Sequence, residues 1–517
     1  MAQSSNTFLV IGAVLSLAFS VAASGVLGYD FTKIRVDARD EPHLYSKYPH
    51  IVRRANTVQA DITNELLLYF INITVGTPPQ PLSLQLDTGS SDIWFPSAQS
   101  DICQENAQAC TFGSYDLTAS STGTELQKDA FQIQYVDGSM IEGDYISDVL
   151  NLGNTQVKNV TMAAATTASR AIGIMGIGYQ AGESIAETEG LTYPSFVSEL
   201  VKQGQISSLA YSLWLNDVKA NTGSILFGGI DTSKYVGSLV ALPIQTDAST
   251  GSLTSFTVAW TGLTSSSGGS TQTYTETGTA IAAILDSGTT DTLLPDAVAN
   301  SIYSALGVTT DPSYGNLVSC DMADDDLTFT FTFGGPHGAS VKVPLSEFVT
   351  PLLTTDGSTP TVDGKSACTF AIDSAGSDPI LFGDSFLRSA YVVYDLQNNM
   401  IGLAQTDFNG GSSNIKEISA NGIPDVSTTA SAVTVQQTFS GHPLQTGAAG
   451  TAAGTSAITR SATISLSSAA STSGSSSAMA SSGAASPLTI RAAEPITIWL
   501  GLVAIASFLY GGVMFVM

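Results

Sequence analysis

Basic residues are scarce in this 517-residue chain: 18 Lys and Arg stand against 44 Asp and Glu, a net charge of -26. Nothing in such a chain offsets phosphate repulsion, which excludes nucleic acid as a partner. The acidity fits a secreted surface, or a protein working at low pH where many carboxylates carry a proton. Cysteine is scarce as well. There are four, Cys103, Cys110, Cys320 and Cys368, with no C-x-x-C pair and no usual zinc spacing. An even count behind a secretory signal points to two disulfides. Three connectivities are possible; Cys103–Cys110 with Cys320–Cys368 keeps each bridge within one half of the chain and is the expected one. Histidine is nearly missing, with His337 alone between Arg54 and Asn409. It lies in a Gly-Pro-His-Gly turn, which leaves no well-placed base for a serine or cysteine triad. No H-E-x-x-H occurs, so a metalloprotease of that type is excluded, and neither metal nor cofactor is expected. Long amphipathic helical patterns are few. Short alternating runs dominate, as in all-β proteins.

The two ends read as processing signals. Phe8 to Ala23 is an apolar run closed by small residues, so residues 1–24 are expected to be a signal peptide. Residues 25–54 carry six basic residues (Lys33, Arg35, Arg39, Lys47, Arg53 and Arg54) against four acids. Their end, Arg53-Arg54, suits a dibasic-processing protease. This segment is expected to be a propeptide that sits electrostatically on the acidic body until it is removed. Residues 409–485 are Ser, Thr, Ala and Gly with little apolar surface, and read as a disordered, O-glycosylated stalk. Ile496 to Met517 is almost wholly apolar with no basic flank behind it. Small residues, a spacer and this tail match a GPI-attachment signal over 486–517. Ser481, Ser482 and Gly483 are all small enough for attachment, and Gly483 is the residue expected. The alternative is a retained tail-anchored helix. The GPI lipid would hold the protein at the extracellular face of the plasma membrane or in a cell wall.

Between the ends two short motifs stand out, about two hundred residues apart. Leu86-Asp87-Thr88-Gly89-Ser90-Ser91 follows a strand-like run. Leu285-Asp286-Ser287-Gly288-Thr289-Thr290 follows the apolar run Ala280 to Leu285. Carboxylates paired at close range cannot both ionise cheaply, so they share a proton and do acid and base work together. About ninety residues after each motif comes an apolar-apolar-Gly strand, Ile174-Met175-Gly176 and then Leu381-Phe382-Gly383. The repetition predicts two similar β lobes, 55–245 and 246–408, each carrying one aspartate. Helices are expected near Tyr193 to Gln203, Ala297 to Ala305 and Asp384 to Ser389. The Ser/Gly stretch Thr264 to Thr271 reads as a loop. Sequons at Asn159 and Asn72 allow N-glycosylation, with Asn72 inside an expected strand.

These motifs carry a resemblance. The runs Tyr69 to Gln80, Asp87 to Trp94, the Tyr135 region, Asp286 to Thr290 and Ile380 to Arg388 resemble those of pepsin-type aspartic proteases, of the fungal GPI-anchored yapsin kind. The resemblance implies a bilobal all-β fold with the active site in the cleft between the lobes. It implies a monomeric endopeptidase that acts on polypeptide substrates at acidic pH. Asp87 and Asp286 would hold one water and act by turns as general base and general acid. Gly89 and Gly288 would let the backbone turn and aim amides at the carboxylates. Thr88 and Ser287 match hydroxyls that bond across the lobe junction, and Ser90 and Thr289 would orient the outer carboxylate oxygens. Phe131 to Met140 fits the flap, an alternating hairpin closed by a tight Asp137-Gly138 turn. Tyr135 would close over substrate and bond the Trp94 indole, while Val136 stands where many relatives carry Gly. An acidic residue at the position of Asp137 goes with acceptance of Lys or Arg beside the scissile bond; Asp137 is otherwise the Asp of an Asp-Gly turn.

Overall fold

The computed structural model describes residues 25–37, 65–105, 109–220, 222–248, 250–312, 314–352, 360–408, 410–431, 433–437, 443–444 and 464–465. The expected signal peptide, the Arg53-Arg54 pair, Gly483 and the apolar tail lie outside them. The described chain is mostly strand. A fourteen-stranded sheet runs through the first half and the centre, and an eight-stranded sheet carries the second aspartate. The central sheet is stitched from both halves: Ala390–Asp395 pairs with Ala210–Trp214, bringing Val392 opposite Leu213. Tyr235–Pro243 pairs with Met400–Thr406.

Alternation along the strands explains the layers. Thr328–Phe333 buries Phe329, Phe331 and Phe333 and leaves the threonines between them half-buried. Phe331 meets Phe382 and Phe386 edge to face, and Phe333 meets Phe382 the same way, a preferred aromatic geometry; Phe333 and Phe386 are tilted at 59°. Helices are short. Phe196–Lys202 starts at Ser195, whose hydroxyl accepts from the Ser198 amide, an N-cap. Asp296–Leu306 ends at Gly307 in the left-handed region, where glycine closes a helix without strain. Disulfides join Cys103 to Cys110 and Cys320 to Cys368.

Three segments differ from the expectations. Residues 264–271 are not a loop. Thr257–Ser267 and Ser270–Thr273 form a hairpin with Thr264 opposite Thr273, turned at Gly268 and Gly269, both at positive φ. Two such residues are what a two-residue hairpin turn demands, and Ser/Thr composition hid the ladder. The body also runs past Phe408. Ile415–Glu417 pairs with Gly229–Asp231, and Val426–Thr429 lies parallel to Tyr235–Pro243. Ile418, Ala430 and Val435 are buried, so the first part of the expected stalk is folded. Its few apolar residues are spaced widely, and main-chain pairing needs no particular side chain.

The third difference concerns residues 25–54. Leu27–Asp37 is a strand inside the central sheet, with Gly28 opposite Leu226 on one side and Thr32 opposite Phe70 on the other. Phe31 is buried against Tyr69. Lys33 donates to the carbonyls of Asp217 and Val218. The expected seating was electrostatic; what holds this strand is a two-sided β ladder.

Candidate active site

The strand Gln80–Asp87 becomes fully buried over its last four residues. It lies antiparallel to Glu65–Val75 and parallel to Ile174–Gly176, with Asp87 opposite Gly176. In the second half Ile281–Leu285 is wholly buried and runs parallel to Leu381–Phe382. The Asp286 amide donates to the Phe382 carbonyl. Each aspartate thus ends a buried strand, and the apolar-apolar-Gly segment of its own half lies beside it.

The two loops then cross-link. Thr88 Oγ1 donates to the Leu285 carbonyl and accepts from the Ser287 amide, both at 2.9 Å. Ser287 Oγ donates to the Leu86 carbonyl at 3.0 Å and accepts from the Thr88 amide at 3.2 Å. Both hydroxyls are buried, so each must find partners, and each finds them in the other half. The Gly89 amide donates to Asp87 Oδ1, and the Gly288 amide to Asp286 Oδ1, both at 2.7 Å. Ser90 Oγ reaches Asp87 Oδ2 at 2.5 Å and Thr289 Oγ1 reaches Asp286 Oδ2 at 2.6 Å.

The glycines have a steric reason. A Cβ on Gly89 would stand 2.4 Å from Asp286 Oδ1, and one on Gly288 would stand 2.3 Å from Asp87 Oδ1. Each half leaves out a side chain where the other half's carboxylate sits. The carboxylates face each other at the floor of a cleft of about 150 Å³, 4% and 7% exposed. Burial and the neighbouring Asp286 carboxylate push Asp87 up to about 8. An acid so raised keeps its proton where an ordinary aspartate has lost it.

Above the pair stands the hairpin of Thr124–Gln134 and Met140–Leu152. Its tip differs in detail from the expected Asp-Gly turn. The Gly138 amide bonds the Tyr135 carbonyl across Val136 and Asp137, and Gly138 follows at φ 84°. This is a type I turn closed by a left-handed glycine. Asp137 Oδ1 accepts from the Ser139 amide and hydroxyl, and Val136 is half exposed. The Trp94 indole donates to the Tyr135 hydroxyl at 2.7 Å. Burial and then the charge of Asp87 push that hydroxyl well above its usual range.

A family model described as eukaryotic aspartyl protease matches residues 68–406. The chain belongs to the eukaryotic aspartyl protease family. Among similar proteins is one named "Probable aspartic-type endopeptidase OPSB" from Arthroderma benhamiae, 42% identical over 424 residues, which are 80% of this chain and 83% of that protein. The acid protease of Saccharomycopsis fibuligera is 33% identical over 410 residues, 77% of this chain and 98% of the relative. Candidapepsin-3 of Candida albicans is 36% identical over 361 residues, 69% and 83% of the two chains.

This aspartic endopeptidase holds further residues around its cleft that sequence reasoning passed over. Gln85, 2% exposed, donates from Nε2 to the Gly288 carbonyl at 2.8 Å and accepts from Arg170 Nη2 at 2.7 Å. Arg170, 7% exposed, lines the cleft with both aspartates. Beneath the hairpin, Asp92 accepts from the Ser184 amide and the Tyr193 hydroxyl, and Glu183 accepts from the Tyr193 amide. Burial raises Asp92 to about 6 and Glu183 to about 8. One signal for Arg170 was available. Arg170 and Arg388 are the two arginines between residues 55 and 408. Both are buried, and a buried arginine needs a reason. The sequon residues Asn72 and Asn159 are both exposed, although Asn72 lies on a strand and accepts from Ser83 Oγ.

Proposed function

We propose that Asp87 and Asp286 are the catalytic dyad of this endopeptidase. The observation that carries the reading is the crosswise fit, in which each Asp-x-Gly loop gives up a side chain to the opposite carboxylate. The dyad carries one proton shared between its two acids. A water held between them loses its proton to the ionised carboxylate and attacks the scissile carbonyl, which the protonated acid polarises. The carboxylate that took the proton then passes it to the leaving amine. The bond broken is the peptide C–N bond, and water supplies the new C–O bond; no covalent enzyme intermediate forms. Tyr135, kept protonated by burial and fixed by Trp94, closes over the substrate. The reaction needs that one shared proton, so activity falls as rising pH removes it.

The chain is secreted through its leader, and residues 25–54 are its propeptide, cut at Arg53-Arg54 by a dibasic-processing protease. Cutting alone leaves Leu27–Asp37 in its ladder, so maturation also requires that strand to unzip. A C-terminal GPI lipid near Gly483 holds the enzyme at the outer face of the membrane or in the wall. Asp137 at the cleft favours basic side chains beside the bond cut. N-glycans sit at Asn159 and Asn72.

The test is cleavage of a denatured protein at about pH 4. Asp87→Asn and Asp286→Asn should each lower kcat/KM on the order of 10²- to 10⁴-fold, and a statyl transition-state mimic should block the wild type. Cleavage by either variant within tenfold of wild type would overturn the dyad.

A further inference from the structure

We infer that Arg170 is a specificity-determining residue that selects a carboxylate or carbonyl-bearing substrate side chain in the part of the cleft it lines, and rejects Lys and Arg there. The inference deepens the dyad reading and rests on it. In a chain with 44 acids and 18 basic residues, one of the two arginines of the body lies in the wall of the cleft that holds both aspartates. A guanidinium stays charged at every working pH and offers five donors in a fixed fork.

The group is held in place from several sides. The preceding residue, Ser169, bonds the flap hairpin just behind its tip: its amide donates to the Met140 carbonyl, and its hydroxyl accepts from the Met140 amide. Arg170 Nη2 donates to Gln85 Oε1. Gln85 Nε2 donates to the Gly288 carbonyl, inside the second aspartate's loop. That bond fixes which end of the Gln85 amide faces Arg170. Arg170 also bears on the flap, since its charge is felt at the Tyr135 hydroxyl. The strand position of Gln85 and the loop position of Arg170 therefore make this wall polar and cationic, next to Ile174 and Leu68. A substrate side chain seated here meets a positive charge in a partly desolvated cleft, where charge-assisted bonds are strong. The other titratable groups lining the cleft are Asp87, Asp286, Asp137, Asp291 and Tyr135. Arg170 in the wall and Asp137 on the flap give the cleft one cationic and one anionic group, so acid and base preferences belong at different substrate positions.

The test uses the mature enzyme and a set of peptides in which one position at a time, on either side of the cut bond, is Glu, Gln, Leu or Lys. At one position Glu should exceed Lys in kcat/KM by about ten- to hundred-fold at pH 5.5, the worth of one charged hydrogen bond. There the Glu over Gln ratio should fall toward one at pH 3, where the peptide carboxyl is protonated. Arg170→Leu should collapse the Glu over Lys preference at that position alone, and Arg170→Lys should keep its sign. Should Arg170→Leu fail to fold, Arg170→Lys and the pH dependence of the wild-type ratio decide. Equal ratios in wild type and Arg170→Leu at every position, with the Leu peptide still cut, would overturn this inference alone. No cleavage of any peptide by the wild type would overturn the dyad assignment and this inference with it.

Discussion

Asp87 opens the run Asp-Thr-Gly-Ser-Ser-Asp and Asp286 opens Asp-Ser-Gly-Thr-Thr-Asp. Over the first four residues the two runs make matching contacts: the buried hydroxyls cross over, the glycine amides turn inward, and the next hydroxyls hold the outer oxygens. At the sixth residue they part. Asp92 is fully buried under the flap, tied to Ser184 and Tyr193. Its counterpart Asp291 is half-buried and lines the cleft. Their surroundings part as well. The first half buries Asp92 and Glu183 against neutral donors. The second half buries Glu347 against a cation, with Arg388 Nε donating to Glu347 Oε2 at 2.6 Å. The duplication was kept where two carboxylates must act as equals. It was released where one half buries Asp92 beneath a hairpin and the other pairs Glu347 with Arg388.

The largest effect should come from the charged anchor of the second half. Arg388→Leu leaves the buried Glu347 carboxylate without its cation, with the Val218 amide still donating to Oε1, and should cost roughly 3–5 kcal/mol in unfolding free energy, read by urea titration. A loss near zero would erase the contrast between the halves. Next come the crossed glycines. Gly89→Ala and Gly288→Ala each push the opposite carboxylate aside, and kcat/KM should fall about 10²-fold in both, the usual cost of misplacing a reacting group by an ångström. A drop in one variant only would show that the fit is not reciprocal.

Within the first half, the pH dependence of stability should rest on two buried carboxyls. Asp92 and Glu183 are raised to about 6 and about 8 by burial. A carboxyl raised on folding holds its proton more tightly in the folded chain. Its stabilisation is complete below the unfolded value, near 4, and is lost as pH climbs through 6 for Asp92 and 8 for Glu183. Thermal melts from pH 4 to 8 should show a falling Tm, and Asp92→Asn or Glu183→Gln should flatten the fall. Unchanged slopes in both variants would place the alkaline weakness elsewhere. The smallest effect should be the most symmetric. Ser90→Ala and Thr289→Ala each remove one hydrogen bond to a carboxylate, worth about 1.5–3 kcal/mol, and should lower kcat/KM to a similar extent.

The paired aspartates, their hydroxyl neighbours and the Tyr135–Trp94 contact were legible in the sequence because their spacing within short motifs is set by local backbone geometry. Gln85 was not. Leu82-Ser83-Leu84-Gln85-Leu86 reads as an alternating strand with a polar outer face. A strand with neighbours on both sides and a cleft on one face buries its polar positions too. Arg170 follows a strand of small residues with no local pattern, and its role arises from contacts 85 residues away in the chain. The hairpin at residues 264–273 and the folded start of the stalk were hidden for one shared reason. Both are held by main-chain ladders, and composition says little about which Ser/Thr segments find a partner strand.

The central claim is that the two aspartates act as equals within unequal surroundings. The most direct measurement is kcat/KM at pH 4 on one peptide for Asp87→Asn, Asp286→Asn and the double variant. The account predicts that each single variant falls about as far as the double one, on the order of 10²- to 10⁴-fold, because residues acting as a unit do not add. A single variant that keeps activity within tenfold of wild type, or a double variant whose loss is the product of the two, would contradict it.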